Sequence, residues 1–157
     1  MNYSLNRLMY DPTVTREDMA VAMLRQWRHT SDVVDRATEV VLARHGLNET
    51  AAAVLMILGE PESSPTMRDL ARLLGCDPSN VTLVAAKLQN DAMIDKRPHP
   101  TDGRSRVLAL TPRGQAELSQ LLIELTAASP LNGLSVAEQQ QLSALLHRVM
   151  VASPLMA

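Results

Sequence analysis

Aromatic residues are nearly missing from this chain: no Phe, two Tyr and one Trp, 2 % of 157 residues. A core without rings must be built from Leu, Val, Ala and Met. The nine Met serve either as plain core filling or as an adaptable pocket wall. A single cysteine, Cys76, excludes an intrachain disulfide. No apolar run reaches the roughly 18 residues of a membrane span, so no membrane partner is expected. The opening MNYSLNRLMYDPTV lacks the apolar centre of a signal peptide. These absences point to a cytoplasmic protein. There is no Gly-rich phosphate loop, no nucleophile motif and no convincing acid pair, so neither catalysis nor a cofactor is expected. His29, His45, His99 and His147 are scattered, with no pair at ligand spacing on a helix, which argues against a metal site. Internal repeats and low-complexity tracts are also lacking.

What is present is a chain long enough to bury a core as one domain-sized unit, with helix formers dominating outside one short region. The net charge is only −2. Its distribution is uneven. Between Met67 and Arg113 eight cations stand against five acids, a net +3, while the rest carries seven cations and twelve acids, a net −5. The attraction for phosphate is therefore concentrated in the middle of the chain.

That middle stretch, Met67 to Gln115, organises the sequence. Met67, Leu70, Ala71 and Leu74 recur at helical spacing. Gly75 ends this short helix and Cys76-Asp77 forms a turn. Asp77-Pro78 is a helix start, because the carboxylate caps free N–H groups and Pro loses nothing at the first helical position. The second helix spans about Pro78 to Asn90, with Val81, Val84, Ala85 and Leu88 as its apolar stripe. Its other face carries Ser79, Asn80, Thr82, Leu83, Ala86 and Lys87. Short polar side chains with one cation and no acid suit a helix that enters a DNA major groove. The alternative is an ordinary solvated face. Met93 to Pro98 then reads as a strand, residues 99–105 as a turn-rich tip, and Arg106 to Leu110 as a second strand. Helix, turn, helix and β-hairpin together make a winged helix. Arg97, Arg104 and Arg106 lie on the hairpin, and arginine favours the negative potential of a narrow minor groove.

The segments LGCDPSNVT and Asp102-x-Arg104 followed by Leu110-Thr111-x-x-Gly114 resemble the MarR family of bacterial transcription regulators. The resemblance covers most of the chain. It implies a mainly α fold with a small β-wing, a winged lobe at about 47–111, and dimerisation helices at 1–46 and 112–157. It implies a homodimer that binds double-stranded DNA at a pseudo-palindromic operator, usually as a repressor. It also implies that Asp102 orients Arg104; read alone, Asp102 is a turn former before Gly103. A very short strand near Thr66, completing the wing's sheet, rests on the resemblance only.

The sequence departs from the family pattern at three places. Ala86-Lys87 stands where an Asp-Arg pair is usual. Lys keeps the charge without the planar fork, so phosphate contact is expected of Lys87 rather than bidentate base reading. Ala92 replaces the usual Gly, so either the position is less strained or the turn differs. The segment after Gly114 is shorter than usual and is broken at Pro130. Cys76 reads as filler in the turn rather than as a redox sensor. Asp77 opposes its thiolate, although the helix start favours it.

On either side the chain is helical. Thr15-x-x-Asp18 opens a long helix to about Arg44, with Ala20, Met23, Leu24, Trp27, Ser31, Val34, Thr38, Val41 and His45 on its apolar or small stripe. Gly46 closes it. Asn48 caps a helix to about Leu58, Thr111-Pro112 starts one to about Ala128, and Ser135 with Glu138 starts the last. Leu-rich terminal helices beside a long first helix imply burial against a second copy. Relatives in the family bind small aromatic or lipophilic compounds between such helices and the winged lobe. Trp27, His45, Met56 and Met67 are the candidate effector residues, with simple core packing as the alternative. A second reading of the whole chain is a winged-helix protein-interaction or dimerisation module without specific DNA binding.

Overall fold

A computed structural model of the chain describes residues 14–61, 63–98 and 106–152. The first helix, α1 (Arg16–Arg44), is 29 residues long and opens on a capping box. Thr15 Oγ1 accepts from the Asp18 amide at 3.1 Å, and Asp18 accepts from the Thr15 amide at 3.1 Å. At its far end Gly46 takes φ +64°, and the Leu47 amide reaches back to the Leu42 carbonyl at 3.0 Å. This left-handed stop lets α2 (Glu49–Gly59) leave at 83° to α1. Asn48 Oδ1 caps α2 by accepting from Ala51 at 2.8 Å.

Two short helices follow. α3 (Met67–Leu74) begins at a second capping box, Thr66 with Asp69, and stops at Gly75 with φ +60°. α4 (Pro78–Asn90) begins at Asp77 with Pro first. The strands β1 (Ile94–Pro98) and β2 (Arg106–Leu110) pair antiparallel, with Ile94 opposite Leu110 and Pro98 opposite Arg106. α5 (Pro112–Ala128) starts at Thr111, a 3₁₀ turn covers Pro130–Gly133, and α6 (Val136–Val151) starts at a third capping box, Ser135 with Glu138. Among the described residues no single helix is long and apolar enough to cross a membrane. The result is a mainly helical chain with a small β-wing.

The core is one cluster, supplied by α1 (Val41, Leu42), α2 (Val54, Leu55, Leu58), α3 (Leu70), α4 (Val81, Leu88), the wing (Ile94, Leu108) and α5 (Leu118, Leu121). Each fully buried Leu or Ile contributes about 2 kcal/mol of transfer free energy. No described ring enters this core. By contrast, the first 25 residues of α1 and all of α6 contain no buried residue in the protomer.

Four sequence expectations change. The strand near Thr66 does not form: the described sheet has two strands, and a single bond, Leu108 N–H to Pro65 O at 3.0 Å, marks the place. Pro65 has no N–H to return, and Thr66 is occupied capping α3. Met93 lies outside β1, because its N–H bonds Leu88 O at 2.8 Å and its carbonyl accepts from Thr111 N–H at 3.0 Å. Ala92 is neither relaxed nor in a different turn. It adopts φ +56° in the same 6→1 helix stop that Gly46 and Gly75 make, with Met93 N–H on Leu88 O at 2.8 Å. Finally, the stripe of α1 is not inward over its length. Val41 is buried, but Trp27 is 57 % and Leu24 65 % exposed.

The start of α5 is tied to the end of α4. Thr111 Oγ1 donates to Ala92 O at 2.7 Å and accepts from Gly114 N–H at 3.0 Å. Gly114 is buried, and a Cβ there would overlap the Met93 carbonyl. Two opposite outcomes follow for urea unfolding. Gly114→Ala is expected to cost at least about 2 kcal/mol by overpacking against backbone. Ala92→Gly, at an exposed left-handed position, is expected to gain about 0.5–1 kcal/mol.

Candidate nucleic-acid interface

The exposed face of α4 is set by its core face. Val81, Val84, Ala85 and Leu88 are buried, so Ser79, Asn80, Thr82, Leu83, Ala86 and Lys87 point outward. Several of these polar groups are already held. Asp77 accepts from the Ser79 amide at 2.7 Å and from the Ser79 hydroxyl. These bonds, the hydroxyl's first, hold the Asp77 carboxyl below its ordinary value, against a smaller opposing effect of desolvation. Thr82 Oγ1 donates to Pro78 O at 2.8 Å. Lys87 Nζ donates to Gly46 O at 2.8 Å, tying α4 to the α1–α2 corner. An ammonium has three donors, so this bond leaves two for a phosphate.

On the wing, Arg97 and Arg106 are exposed. Arg97 Nη2 lies 3.4 Å from Leu110 O, so its guanidinium points along the hairpin toward the base of the strands. His99, Asp102 and Arg104 lie outside the described residues, in the segment that joins the two strands. Arg68 and Arg72 are two of the eight cations between Met67 and Arg113. They line a cleft of about 420 Å³ between α3 and α4 with Met67, Cys76, Pro78 and Thr82. Their i, i+4 spacing on the polar side of α3 was the available signal. Arg72 is partly engaged, with Nη2 3.4 Å from Asp69 Oδ1.

The four candidate effector residues are not brought together. Met67 sits in the α3–α4 cleft. Trp27 is exposed on α1. The His45 side chain is 8 % exposed and clamps α1 to α5, with Nδ1 2.6 Å from Glu117 Oε1 and Nε2 3.5 Å from Glu124 Oε2. Glu124 is held below its ordinary value by the Gln120 amide first, then by His45 and by Arg44 at 3.8 Å, against desolvation. Met56 alone lines a larger space, a groove of about 670 Å³ with Leu122, Leu125, Leu142, Leu146 and Met150. Among the described residues no three His, Cys, Asp or Glu side chains converge as a metal would require.

A family model described as MarR family matches residues 47–105. The uncharacterized HTH-type transcriptional regulator YkoM of Bacillus subtilis (strain 168) is 33 % identical over 111 residues, covering 69 % of this chain and 71 % of YkoM. The chain belongs to the MarR family. Its relatives are transcriptional regulators rather than enzymes. A MarR-family regulator from Rhodococcus sp. RHA1 superposes with a TM-score of 0.69 at 20 % identity, over 86 % of this chain and 96 % of that one. BpsR of Bordetella bronchiseptica, whose DNA binding is regulated by 6-hydroxynicotinic acid, superposes at 0.66 with 20 % identity, over 82 % and 93 %. These two likenesses concern the fold.

For this MarR-family chain the caps predict acid sensitivity. Asp18, Asp69, Asp77 and Glu138 are all held below their ordinary values, first by the hydroxyl they accept from. The stability they contribute is complete above the ordinary values of 3.8 for Asp and 4.5 for Glu, and is lost as pH falls below them. The urea midpoint is therefore expected to drop between about pH 5 and pH 3. Asp77→Asn should make that drop shallower without abolishing it, since the other three caps remain.

Proposed function

We propose that this protein is a cytoplasmic, homodimeric transcriptional repressor that binds a pseudo-palindromic operator and is released by a small lipophilic or aromatic ligand. The observation that carries the reading is the outward face of α4, polar and free of acids, standing beside two wing strands that carry Arg97 and Arg106. In this reading α4 enters the major groove. Ser79, Asn80, Thr82 and Leu83 face the bases, while Lys87 and the α3 arginines contact phosphates. The tip between the strands brings Arg104 to the minor groove, with Asp102 orienting it.

Dimerisation is supported by apolar surface left open on the protomer. Val21, Met23, Leu24 and Trp27 on α1 are 50–65 % exposed, and Val136, Val149 and Val151 on α6 are 68–71 % exposed. Such patches mark interaction sites in a water-soluble protein. A two-fold axis through these helices would present two recognition helices to two half-sites. The groove between α2, α5 and α6 is the effector site of this proposal. Met56 of the winged lobe forms one wall and leucines of the long helices form the other, so an occupant would change the spacing of the lobes. Release requires that the ligand bind the two spacings with different affinity. BpsR, of the same fold, is a regulator of this ligand-controlled kind.

Two measurements test the reading. Binding to the DNA upstream of its own gene should fall steeply with salt, as counterions are released from phosphates. Arg104→Ala should weaken binding about tenfold while leaving fold and dimer intact; full affinity in that variant would remove the wing from the mechanism. Trp27, the single tryptophan, reports on the dimer. Its emission should shift to longer wavelength as the protein is diluted through dissociation, and Leu24→Glu should give a monomer by sedimentation. A wild-type monomer at all concentrations would sink the dimeric reading.

A further inference from the structure

We infer that α4 reads a thymine through Leu83, so that each operator half-site holds a T·A pair recognised by its 5-methyl group. The inference rests on the DNA-reading function proposed above and adds what is read.

Leu83 is 72 % exposed, more than any other large apolar side chain among the described residues. The core stripe of α4 is complete without it, since Val81, Val84, Ala85 and Leu88 fill the cluster. The open apolar surfaces of α1 and α6 belong to other elements, so dimerisation through those helices does not account for it. Leu83 stands instead in the middle of the outward face. Ser79 lies one turn before it, and Ala86 and Lys87 one turn after it, all exposed.

The chemistry of its neighbours narrows what such a face can read. Guanine is recognised by a long cation that bonds O6 and N7. The one cation on this face, Lys87, is anchored on Gly46 O at 2.8 Å. The Ser79 hydroxyl is turned onto Asp77, and Thr82 donates to Pro78 O at 2.8 Å. The Ser79 and Thr82 hydroxyl protons and one of the three Lys87 protons are thus engaged inside the protein, Asn80 is the further exposed polar side chain of the face, and its apolar centre is an isobutyl group flanked by the Ala86 methyl. In the major groove the matching feature is the thymine 5-methyl, which the other three bases lack.

The test begins with the site that wild-type protein selects from bound genomic fragments. Each half-site thymine is then replaced in turn by deoxyuridine, which removes only the methyl, and affinity is followed by fluorescence anisotropy. One thymine per half-site should be sensitive, losing about fourfold, the worth of one buried methyl-sized group. In Leu83→Ala that position should bind thymine and uracil equally well, whereas Leu83→Met should keep the preference. Circular dichroism should show Leu83→Ala folded as wild type, because the side chain is exposed. Specific binding by wild type with no uracil-sensitive position would overturn this inference alone, as would a uracil penalty that survives in Leu83→Ala. Failure of wild type to select any site would overturn the DNA-reading function and this inference with it.

Discussion

The structure turns on one short contact, the seat of Thr111 and Gly114 on Ala92 and Met93. Here the last turn of α4, the end of β2 and the first turn of α5 meet within a few residues. Thr111 bonds both carbonyls that follow α4, Ala92 O from its hydroxyl at 2.7 Å and Met93 O from its amide at 3.0 Å, while its hydroxyl oxygen caps α5. The lack of a side chain at Gly114 lets the backbones approach closely. The recognition helix therefore cannot tilt without moving α5, and the wing is fixed to the same point through β2. Ala92 holds this junction in a left-handed conformation that an alanine adopts only at a cost. The surrounding bonds over-determine it.

A second junction lies on the other side of the lobe. Lys87 bonds the carbonyl of Gly46, and the neighbouring His45 is clamped between Glu117 and Glu124 of α5. Besides the shared apolar core, the winged lobe is thus joined to the long helices by polar bonds at two places, the α1–α2 corner and the start of α5. Two attachments rather than one make the lobe's orientation a function of how α1 and α5 sit. The proposed release by a ligand between lobe and long helices would act through these attachments. The groove beside Met56 occupies that location.

Much of this was legible in the chain because it rests on local chemistry. Thr15, Asn48, Asp77, Thr111 and Ser135 are side chains that satisfy amides two or three residues ahead, and every one of them caps a helix, as does Thr66, where a strand was expected instead. The split of α4 into a buried and an outward face follows from 3.6-residue periodicity alone. That the candidate effector residues Trp27, His45, Met56 and Met67 stand apart was not legible, because nothing local to them says where their helices cross. The same holds for the third strand of the wing. Pairing is a property of two chain segments, and Pro65 offers a partner only a carbonyl.

The sequence by itself determined the element order, the caps, the helix–turn–helix and the family, since each depends on contacts within a few residues. It also determined that α4 would expose a face without acids. Only the tertiary structure decided that Lys87 is tethered to Gly46, that the largely covered side chain of His45 lies between two glutamates of a helix about 70 residues away, and that Ala92 is forced left-handed. It also decided that most of α1 and all of α6 remain uncovered in one protomer. These outcomes depend on where distant helices cross. That is fixed by how the whole core packs, a sum over many weak contacts that no short window of residues contains.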